Sequence, residues 1–346
     1  MTKHGLSGSA FVKRIRDVIK QYDMLRPGDR VLVAVSGGPD SLCLLRVLRE
    51  MKKALGVELV AANLDHGIRG RESKRDSDFV RNLSKELGIA CACRKIDLTT
   101  RRKNRKSLEE YARERRYAFF RQAAGKYRCN VVATGHTMDD QAETVLLRLM
   151  TGASLRGIAG IPPVRYEDDL KVIRPLIRTP KKEVIDYMGA GGWKYREDRT
   201  NKDRKYLRNR IRHDVLPFLE KYNPRVRRSL ANLCDTIRED IEFIELEKHK
   251  AVKRYSRSGK RSVRIKTRDM ILQPGALRKE IFKELFGRTG GNIKKLTYRH
   301  WRDMDYLIRA GENGKSLDLP GGVRVTKARG EVKFKKRGKG QEHDKQ

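Results

Sequence analysis

The segment VLVAVSGGPDSLCLLRVL, residues 31–48, combines a run of strand-forming residues, a glycine-rich turn and an apolar helical pattern. This layout suits a phosphate site, because backbone N–H groups and a helix N-terminus both point at the bound anion. Gly37 and Gly38 allow the backbone to approach that anion closely. The lysine that reaches the terminal phosphates in the common nucleotide-binding loop is missing, and Asp40 lies in the turn instead.

Without that lysine, nothing in the turn is suited to pull on a γ-phosphate. A loop that cradles the β- and γ-phosphates as a leaving pyrophosphate would expose the α-phosphate to attack. Asp40 would then hold Mg²⁺, which spreads the charge that develops on the leaving group. The simpler alternative is an ordinary strand-to-helix turn with Ser41 as its N-cap.

Strand-like and helical patterns alternate along the first half of the chain. We predict strands near residues 31–35, 57–63, 90–96 and 129–134, and helices near residues 41–53, 73–87, 107–126 and 139–151. This alternation predicts an α/β fold with a parallel, Rossmann-like sheet covered on both faces. Ligands of such sheets bind beyond the carboxyl ends of the strands, where the glycine-rich turn lies.

The second half of the chain differs in pattern. We predict a catalytic domain over residues 1–213, a helical connection over 214–250, a small mixed C-terminal domain over 251–335 and a basic disordered tail over 336–346. The stretch KSLDLPGGVRVTKARGEVKF predicts a hairpin with a Gly-Gly turn near the end of the C-terminal domain.

Charge is the strongest global feature of the sequence. Lysine and arginine number 81 against 44 acidic residues, which gives a formal net charge of +37. Such an excess indicates a polyanionic partner or substrate. The sequence contains no apolar run long enough to span a membrane and no secretory signal, so we expect a cytoplasmic protein without a membrane partner.

The cysteines do not suggest a disulfide framework, because there are 5 of them without a repeating spacing. Cys91 and Cys93 lie in a predicted strand, and we expect them to face opposite sides of it. That placement disfavours a metal site between them.

The segment GHTMDDQAET, residues 135–144, opens a predicted helix with three acids. Asp139 and Asp140 lie four and three residues before Glu143, so the carboxylates can cluster. Such a cluster suits both an ammonium group and Mg²⁺. Acids at a helix start are also ordinary partners of the helix dipole. His136 is a candidate for contact with phosphate or base, and a structural histidine is the alternative.

The turn SGGPDS resembles the signature of the N-type ATP pyrophosphatases, the PP-loop superfamily, which cleave ATP to AMP and pyrophosphate through an adenylated substrate. By itself the turn does not choose among the members of that superfamily. Later segments resemble the tRNA(Ile)-lysidine synthetase family, each in its own place and in the right order. These segments are NLDHGIRGRES, SLEEYARERRYAFF, ATGHTMDDQAETVLLRLMTGASLRGIAGI, DRTNKDRKYLRNRIRHDVLPFLE and GKSLDLPGGVRV.

The resemblance covers residues from about 28 to 330. Longer members of the family carry a second C-terminal domain, and this sequence stops soon after the LDLPGG segment, so the resemblance implies a short form of the family. Many relatives have a second histidine where this chain has Thr137. The resemblance implies a ligase that uses ATP, Mg²⁺, free lysine and an isoleucine tRNA with a CAU anticodon. Lysine would be attached to the wobble cytidine through an adenylated intermediate, which changes the codon and amino acid specificity of the tRNA.

The resemblance also implies roles for particular residues. ATP would contact the turn and the following segments, at Ser36, Gly37, Gly38, Pro39, Asp40, Ser41, Asp65, His66 and His136. Mg²⁺ would be held by Asp40 and Asp140, with the division between them left open. The remaining roles are catalysis by Asp40, Asp140, Glu143 and Arg208, and contact with the tRNA by Arg113, Arg208 and Arg212.

Arginines 208 and 212 lie one helical turn apart, so the pair could clamp a phosphate. A helix surface with salt bridges is the alternative for this pair. For the whole chain, the alternatives are a tRNA thiolase, a small-molecule amide ligase and a nonenzymatic RNA-binding protein. A thiolase would need a cysteine pair, and the sequence contains no Cys-x-x-Cys. Association into a homodimer is left open.

Overall fold

The computed structural model describes residues 3–65, 71–96, 108–196, 204–259 and 262–337. His66, the lysine- and arginine-rich segment 99–107 and residues 338–346 of the predicted tail 336–346 lie outside these ranges. The chain divides into two compact units, Met1–Ile237 and Arg238–Gln346.

The first unit contains a six-stranded sheet. Its strands are β1 (Arg30–Ala34), β2 (Glu58–Asp65), β3 (Ala90–Lys95), β4 (Val131–Ala133), β5 (Val164–Glu167) and β6 (Leu170–Ile173). They lie in the order β3-β2-β1-β4-β6-β5. All neighbours pair in parallel except β5, which runs antiparallel to β6 at one edge. The predicted α/β class with a parallel sheet is therefore confirmed.

Helices connect the strands of the first unit. They are α1 (Lys3–Gln21), α2 (Pro39–Leu55), α3 (Arg71–Glu86), α4 (Leu108–Tyr127), α5 (Met138–Thr151), α6 (Leu155–Ile158), α7 (Lys181–Ala190), α8 (Leu207–Arg210) and α9 (Leu216–Tyr222). A π-helical stretch, Ile211–Val215, joins α8 to α9.

Alternating residues of β1 face two separate layers of the core. Val31 and Val33 pack in a cluster with residues of α1, α2 and α7, whereas Leu32 packs in a second cluster with Tyr117 and Phe120 of α4. This follows from the period of two in a strand, which points successive side chains to opposite faces. Helices cover both faces of the sheet, as the continuous apolar run of β1 predicts.

The order of strands in the sheet decides where the site lies. β1 and β4 are direct neighbours, and Val31 pairs with Val131. The chain proceeds from β1 to β2 on one side, whereas β4 lies on the other side, so the two strands flank a topological switch point. Crevices at such points are the usual ligand sites of open parallel sheets.

The prediction for Cys91 and Cys93 is wrong. Residues two apart in a strand lie on the same face, because side chains alternate with a period of two. The two Sγ atoms lie 3.4 Å apart in β3.

The second unit contains a five-stranded antiparallel sheet, in the order β7-β8-β11-β10-β9. Its elements, with the helix that leads into it, are α10 (Val226–Tyr255), β7 (Ser256–Gly259), β8 (Ser262–Lys266), α11 (Thr267–Ile271), α12 (Gly275–Arg288), a 3₁₀ turn (Ile293–Lys295), α13 (Tyr298–Arg309), β9 (Ser316–Leu319), β10 (Val323–Ala328) and β11 (Glu331–Lys336). Phe282, Phe286 and Phe334 lie in the centre of its core.

The predicted Gly-Gly hairpin is confirmed, since β9 and β10 pair antiparallel across Gly321 and Gly322. Both glycines have positive φ, at 82° and 73°, as this kind of turn requires. The boundary between the two compact units falls within α10, so the region 214–250 is divided between them. In the part of the chain that the structure describes, no helix is long and apolar enough to cross a membrane.

Candidate active site

The glycine-rich turn lies at the candidate site, between the carboxyl end of β1 and the start of α2. Gly37 has a φ of 91°, which favours glycine, and Gly38 is the N-cap of α2. The alternative with Ser41 as N-cap is therefore wrong, because α2 begins at Pro39. The Ser41 hydroxyl donates to the Gly38 carbonyl at 2.9 Å and lies 3.2 Å from the Ser36 hydroxyl. The two serines thus brace the turn from within.

Gly135 brings the acidic segment against this turn. A Cβ atom at Gly135 would lie 3.0 Å from the backbone carbon of Asp40 and from the nitrogen of Ser41. Such a contact is tighter than side chains normally make, so the position accommodates glycine best. The backbone after β4 therefore touches the backbone of the glycine-rich turn, and the two predicted motifs belong to one site.

Asp40 forms an ion pair that the sequence patterns did not indicate. Its Oδ2 accepts from Nζ of Lys181, the first residue of α7, which is 141 residues further along the chain. Its Oδ1 is buried and has no hydrogen-bond partner. Burial raises the pKa of Asp40, and the charge of Lys181 acts in the opposite direction. One carboxylate oxygen of Asp40 is therefore paired with Lys181, and the other is buried without a partner.

The three acids that open α5 are held by arginines, with Arg227 on Asp139 and Arg208 shared between Asp140 and Glu143. Asp139 accepts from the backbone N–H of Lys181 at 2.7 Å and from Arg227 at 2.8 Å. Asp140 accepts from the backbone N–H of Thr137 at 2.9 Å, which closes a capping box, and from Arg208 at 3.0 Å.

Glu143 is the most buried of these acids, with 1% of its side chain exposed. Its Oε2 accepts from Nε of Arg208 at 2.8 Å, and its Oε1 accepts from Nε of Arg212 at 2.5 Å. A second nitrogen of Arg212 donates to Oε2 at 2.9 Å. Both oxygens are therefore occupied by guanidinium groups. The predicted proximity of Arg208 and Arg212 is present, and Glu143 is what holds them together.

Burial raises the pKa of Asp140, but His136 in its protonated form at low pH, Arg208 and the Thr137 amide outweigh it and hold that pKa below its usual value. Asp140 is thus an anion at neutral pH.

Burial lowers the pKa of His136 to about 4, with Arg174 and Arg208 adding to the shift. His136 is therefore neutral at pH 7, and its Nδ1 lies 2.9 Å from the Thr134 hydroxyl. A neutral imidazole can hydrogen-bond a base or a phosphate without adding charge.

Arg174 is a further site residue that was not predicted. It follows β6, has 2% of its surface exposed, and donates to the Pro162 carbonyl at 2.6 Å. Its Nε is buried without a partner, and burial lowers the pKa of its guanidinium. Tyr117 hydrogen-bonds Arg174 and also lies under Arg113, whose guanidinium carbon is 4.9 Å from the ring centre. The predicted Arg113 is thus linked to the site through Tyr117.

Asp65 is buried at the carboxyl end of β2, next to β1. It lies at the same edge of the sheet as the glycine-rich turn. His66 follows Asp65 and lies outside the described residues.

No single-sequence pattern would have found Lys181 or Arg174, because each lies far along the chain from the motif it joins.

The carboxylates of the site could supply Mg²⁺ with one ligand oxygen, from Asp40. In the described parts of the chain, no group of three or more histidine, cysteine, aspartate or glutamate side chains lies close enough to hold a metal ion. Mg²⁺ commonly takes one or two carboxylates and completes its shell with phosphates and water. The unpartnered Oδ1 of Asp40 meets that need, whereas both oxygens of Asp140 already accept hydrogen bonds.

The fold and the turn define a class of protein. The family model of the PP-loop domain matches residues 9–219, a range that includes the glycine-rich turn, the acidic start of α5, and Arg208 and Arg212. The chain is therefore built on a PP-loop domain.

Similar proteins narrow this class. A tRNA(Ile)-lysidine synthase of Symbiobacterium thermophilum is 37% identical over 93% of this chain and 68% of its own length. Proteins with the same name from Clostridium perfringens and Geobacter sulfurreducens are 33% and 32% identical, over 93% and 95% of this chain and 68% and 69% of their own. The chain belongs to the tRNA(Ile)-lysidine synthase family. These matches confirm the predicted family and with it the assignment as a ligase.

A solved structure of a U34-tRNA thiolase from Methanococcus maripaludis superposes with a TM-score of 0.56. It is 22% identical to this chain, and the match covers 66% of this chain and 78% of the thiolase. At this identity the likeness concerns the fold alone. The thiolase alternative therefore has no support beyond a shared architecture.

Proposed function

We propose that the chain attaches lysine to the wobble cytidine of an isoleucine tRNA with a CAU anticodon, and that ATP activates the cytidine. First, the carbonyl oxygen of the base attacks the α-phosphate, a P–O bond forms, and the bond to pyrophosphate breaks. Next, the ε-amine of lysine attacks the activated ring carbon, a C–N bond forms, and AMP leaves with the oxygen. The protons of the amine pass to solvent.

The observation that carries this proposal is the contact of Gly135 with the backbone of Asp40, which joins a phosphate-binding turn to an acidic helix start. ATP would bind at residues 36–41, with Asp65, His66 and His136 beside it. Asp40 would hold Mg²⁺ through its unpartnered Oδ1. The negative charge of Asp140 is close enough to add to the effect of burial in raising the pKa of Asp40. When bound, Mg²⁺ neutralises charge that develops on the pyrophosphate.

The cluster around Glu143 would act on the second substrate and on the tRNA. Asp140 is anionic at neutral pH, so we assign to it the ammonium group of the incoming lysine. Arg208 and Arg212 would contact the tRNA or the adenylate, with Glu143 fixing both guanidinium groups. The protein would contribute mainly positioning and charge stabilisation. No nucleophilic side chain is required.

The excess of positive charge supports a tRNA substrate, because phosphate contacts dominate affinity for nucleic acids. Arg113 would contact the anticodon region, and the C-terminal domain 251–335 would bind the tRNA by shape and phosphates. Its helix α13 presents Tyr298 and Tyr306, which are 69% and 70% exposed. A cytoplasmic location accords with these substrates, and association into a homodimer stays a prediction.

Incorporation of labelled lysine into a CAU-anticodon isoleucine tRNA transcript tests the proposal, with Mg-ATP present and AMP measured alongside. We expect lysine-dependent label with one AMP for each modified tRNA. AMP without label would remove lysine as the amine. Absence of AMP would remove the enzymatic assignment and leave an RNA-binding protein.

Two aspartate variants separate chemistry from binding. Asp40→Asn is expected to abolish AMP formation and to leave tRNA binding intact. The matched control is Asp186→Asn, which changes an exposed aspartate on α7. Equal activity in Asp40→Asn and the wild type would contradict the role of Asp40.

A further inference from the structure

The proposed function assigns no role to Lys181, although this residue lies at the candidate site. The glycine-rich turn has no lysine of its own, yet the Lys181 ammonium lies against Asp40 of that turn. A positive group beside a phosphate-binding turn is suited to a phosphate ligand. We propose that Lys181 binds the pyrophosphate part of ATP, and that its contact with Asp40 is its position before the nucleotide binds. This inference rests on the proposed use of ATP.

The start of α7 is fixed at the site by backbone contacts. The Lys181 N–H donates to Asp139 at 2.7 Å, and the Met138 N–H donates to the Thr179 carbonyl at 2.9 Å. Asp139 is held in turn by Arg227 at 2.8 Å. The first residues of α7 and α5 are thus tied together. The backbone of Lys181 is therefore held firmly, while its long side chain keeps the freedom to exchange partners.

The state of Asp40 explains why the exchange is favourable. The carboxylate has one oxygen on Lys181 and one buried oxygen without a partner. The Lys181 side chain is 37% exposed, so its ammonium can turn toward a ligand at the turn without crossing the core. A metal ion on Asp40 would satisfy the carboxylate in place of the ammonium. Lys181 would then be available to the β- and γ-phosphates, and it supplies the cation that other phosphate loops carry within the loop itself.

The neighbouring residue provides a matched control. Lys182 has the same charge, lies on the same helical turn and is exposed to solvent. A general effect of positive charge on nucleotide binding would appear equally at Lys181 and Lys182. An effect of a phosphate ligand would appear at Lys181 only.

The experiment compares binding of two nucleotides by calorimetry. The probes are α,β-methylene-ATP with Mg²⁺, which retains the β- and γ-phosphates, and AMP, which lacks them. We expect Lys181→Met to weaken binding of the ATP analogue by about tenfold or more and to change AMP binding less than about twofold. Lys181→Arg keeps the cation and should restore most of the affinity. Lys182→Met should bind both probes like the wild type.

Unchanged binding of the ATP analogue by Lys181→Met would overturn the inference. Equal weakening of both probes would overturn it as well, because it would indicate that Lys181 merely supports the shape of the turn. Lys181→Gln serves as a second neutral variant if Lys181→Met does not fold. The binding assay needs neither lysine nor tRNA. A wild type that binds the analogue through Lys181 but forms no lysine-tRNA product would therefore contradict the proposed function and leave this inference standing.

Discussion

The ion pairs of the candidate site and the pair of Arg299 with Asp303 on α13 are built in different ways. At the site, Asp40 pairs with Lys181 and Glu143 with Arg208, partners that are 141 and 65 residues apart. On α13, Arg299 and Asp303 are paired at i,i+4, with side chains 90% and 45% exposed. Glu143 has 1% of its side chain exposed. The acid of a distant pair at the site, Glu143, is thus buried, whereas both members of the near pair on α13 are exposed.

This difference indicates what each kind of pair contributes. An exposed pair gains little, because water screens the charges and the side chains lose freedom. Removal of one partner of a buried pair costs much more, because an uncompensated charge is left behind. We expect the distant pairs of the site to fix the positions of functional groups, whereas the exposed pair of Arg299 with Asp303 only modestly stabilises its helix.

The largest effect is expected from Glu143→Gln, which removes the charge that holds both Arg208 and Arg212. Activity should fall by about 100-fold or more, because the guanidinium groups lose their fixed positions. The free energy of unfolding should fall by about 2 kcal/mol, less than for a fully buried pair, since both arginines are partly exposed.

Lysine incorporation and urea unfolding measure these two effects of Glu143→Gln. The control is Glu242→Gln, at an exposed glutamate of α10. Activity of Glu143→Gln within about twofold of the wild type would contradict the positioning role.

A smaller effect is expected from Asp139→Ala, which releases the backbone of Lys181 and the side chain of Arg227. AMP formation should slow by about tenfold, because the start of α7 is no longer tied to α5. Affinity for tRNA should stay unchanged, as measured by filter binding. The same change at Asp186, an exposed position of α7, should leave both quantities as in the wild type. A loss of tRNA affinity in Asp139→Ala would indicate a different role.

The next effect is the contribution of His136 to the pH dependence of the free energy of unfolding. Burial lowers the pKa of His136 to about 4, whereas an unfolded chain has a histidine pKa of about 6.5. Between these values the unfolded state binds more protons, so His136 makes stability fall as pH falls from about 6.5 to about 4. His136→Gln cannot take up a proton, so the variant should lose about 1–2 kcal/mol less stability than the wild type when the pH falls from 8 to 5. The value is kept small because the imidazole is only partly buried. Urea unfolding at pH 8 and pH 5 measures it, and an identical pH dependence in both proteins would refute it.

The smallest effect is expected at the exposed pair of α13. Arg299→Ala and Asp303→Ala should each change the free energy of unfolding by less than about 0.5 kcal/mol. A double-mutant cycle measures the coupling between the two residues. A coupling above about 1 kcal/mol would remove the contrast between the two regions.

The sequence was most informative where chemistry is local. The strand formers before the turn, the glycines within it and the apolar pattern after it predicted β1, the phosphate-binding turn and α2 in order. The same holds for the acidic start of α5 and for the Gly-Gly hairpin of the second unit. These features depend on neighbouring residues, because backbone conformation and helix capping are decided within a few positions. The orientation of Cys91 and Cys93 was also decidable from the period of a strand, and the prediction misapplied it.

Only the tertiary structure decided which distant groups meet. The order of strands places β4 beside β1, and Gly135 then brings the acids of α5 against Asp40. The same packing brings Lys181 from α7 to the turn, buries Arg174, and gives Glu143 two arginines. A single sequence contains the charges but not their distances. The strength of an ion pair depends on separation and burial, and both are set by the packed fold.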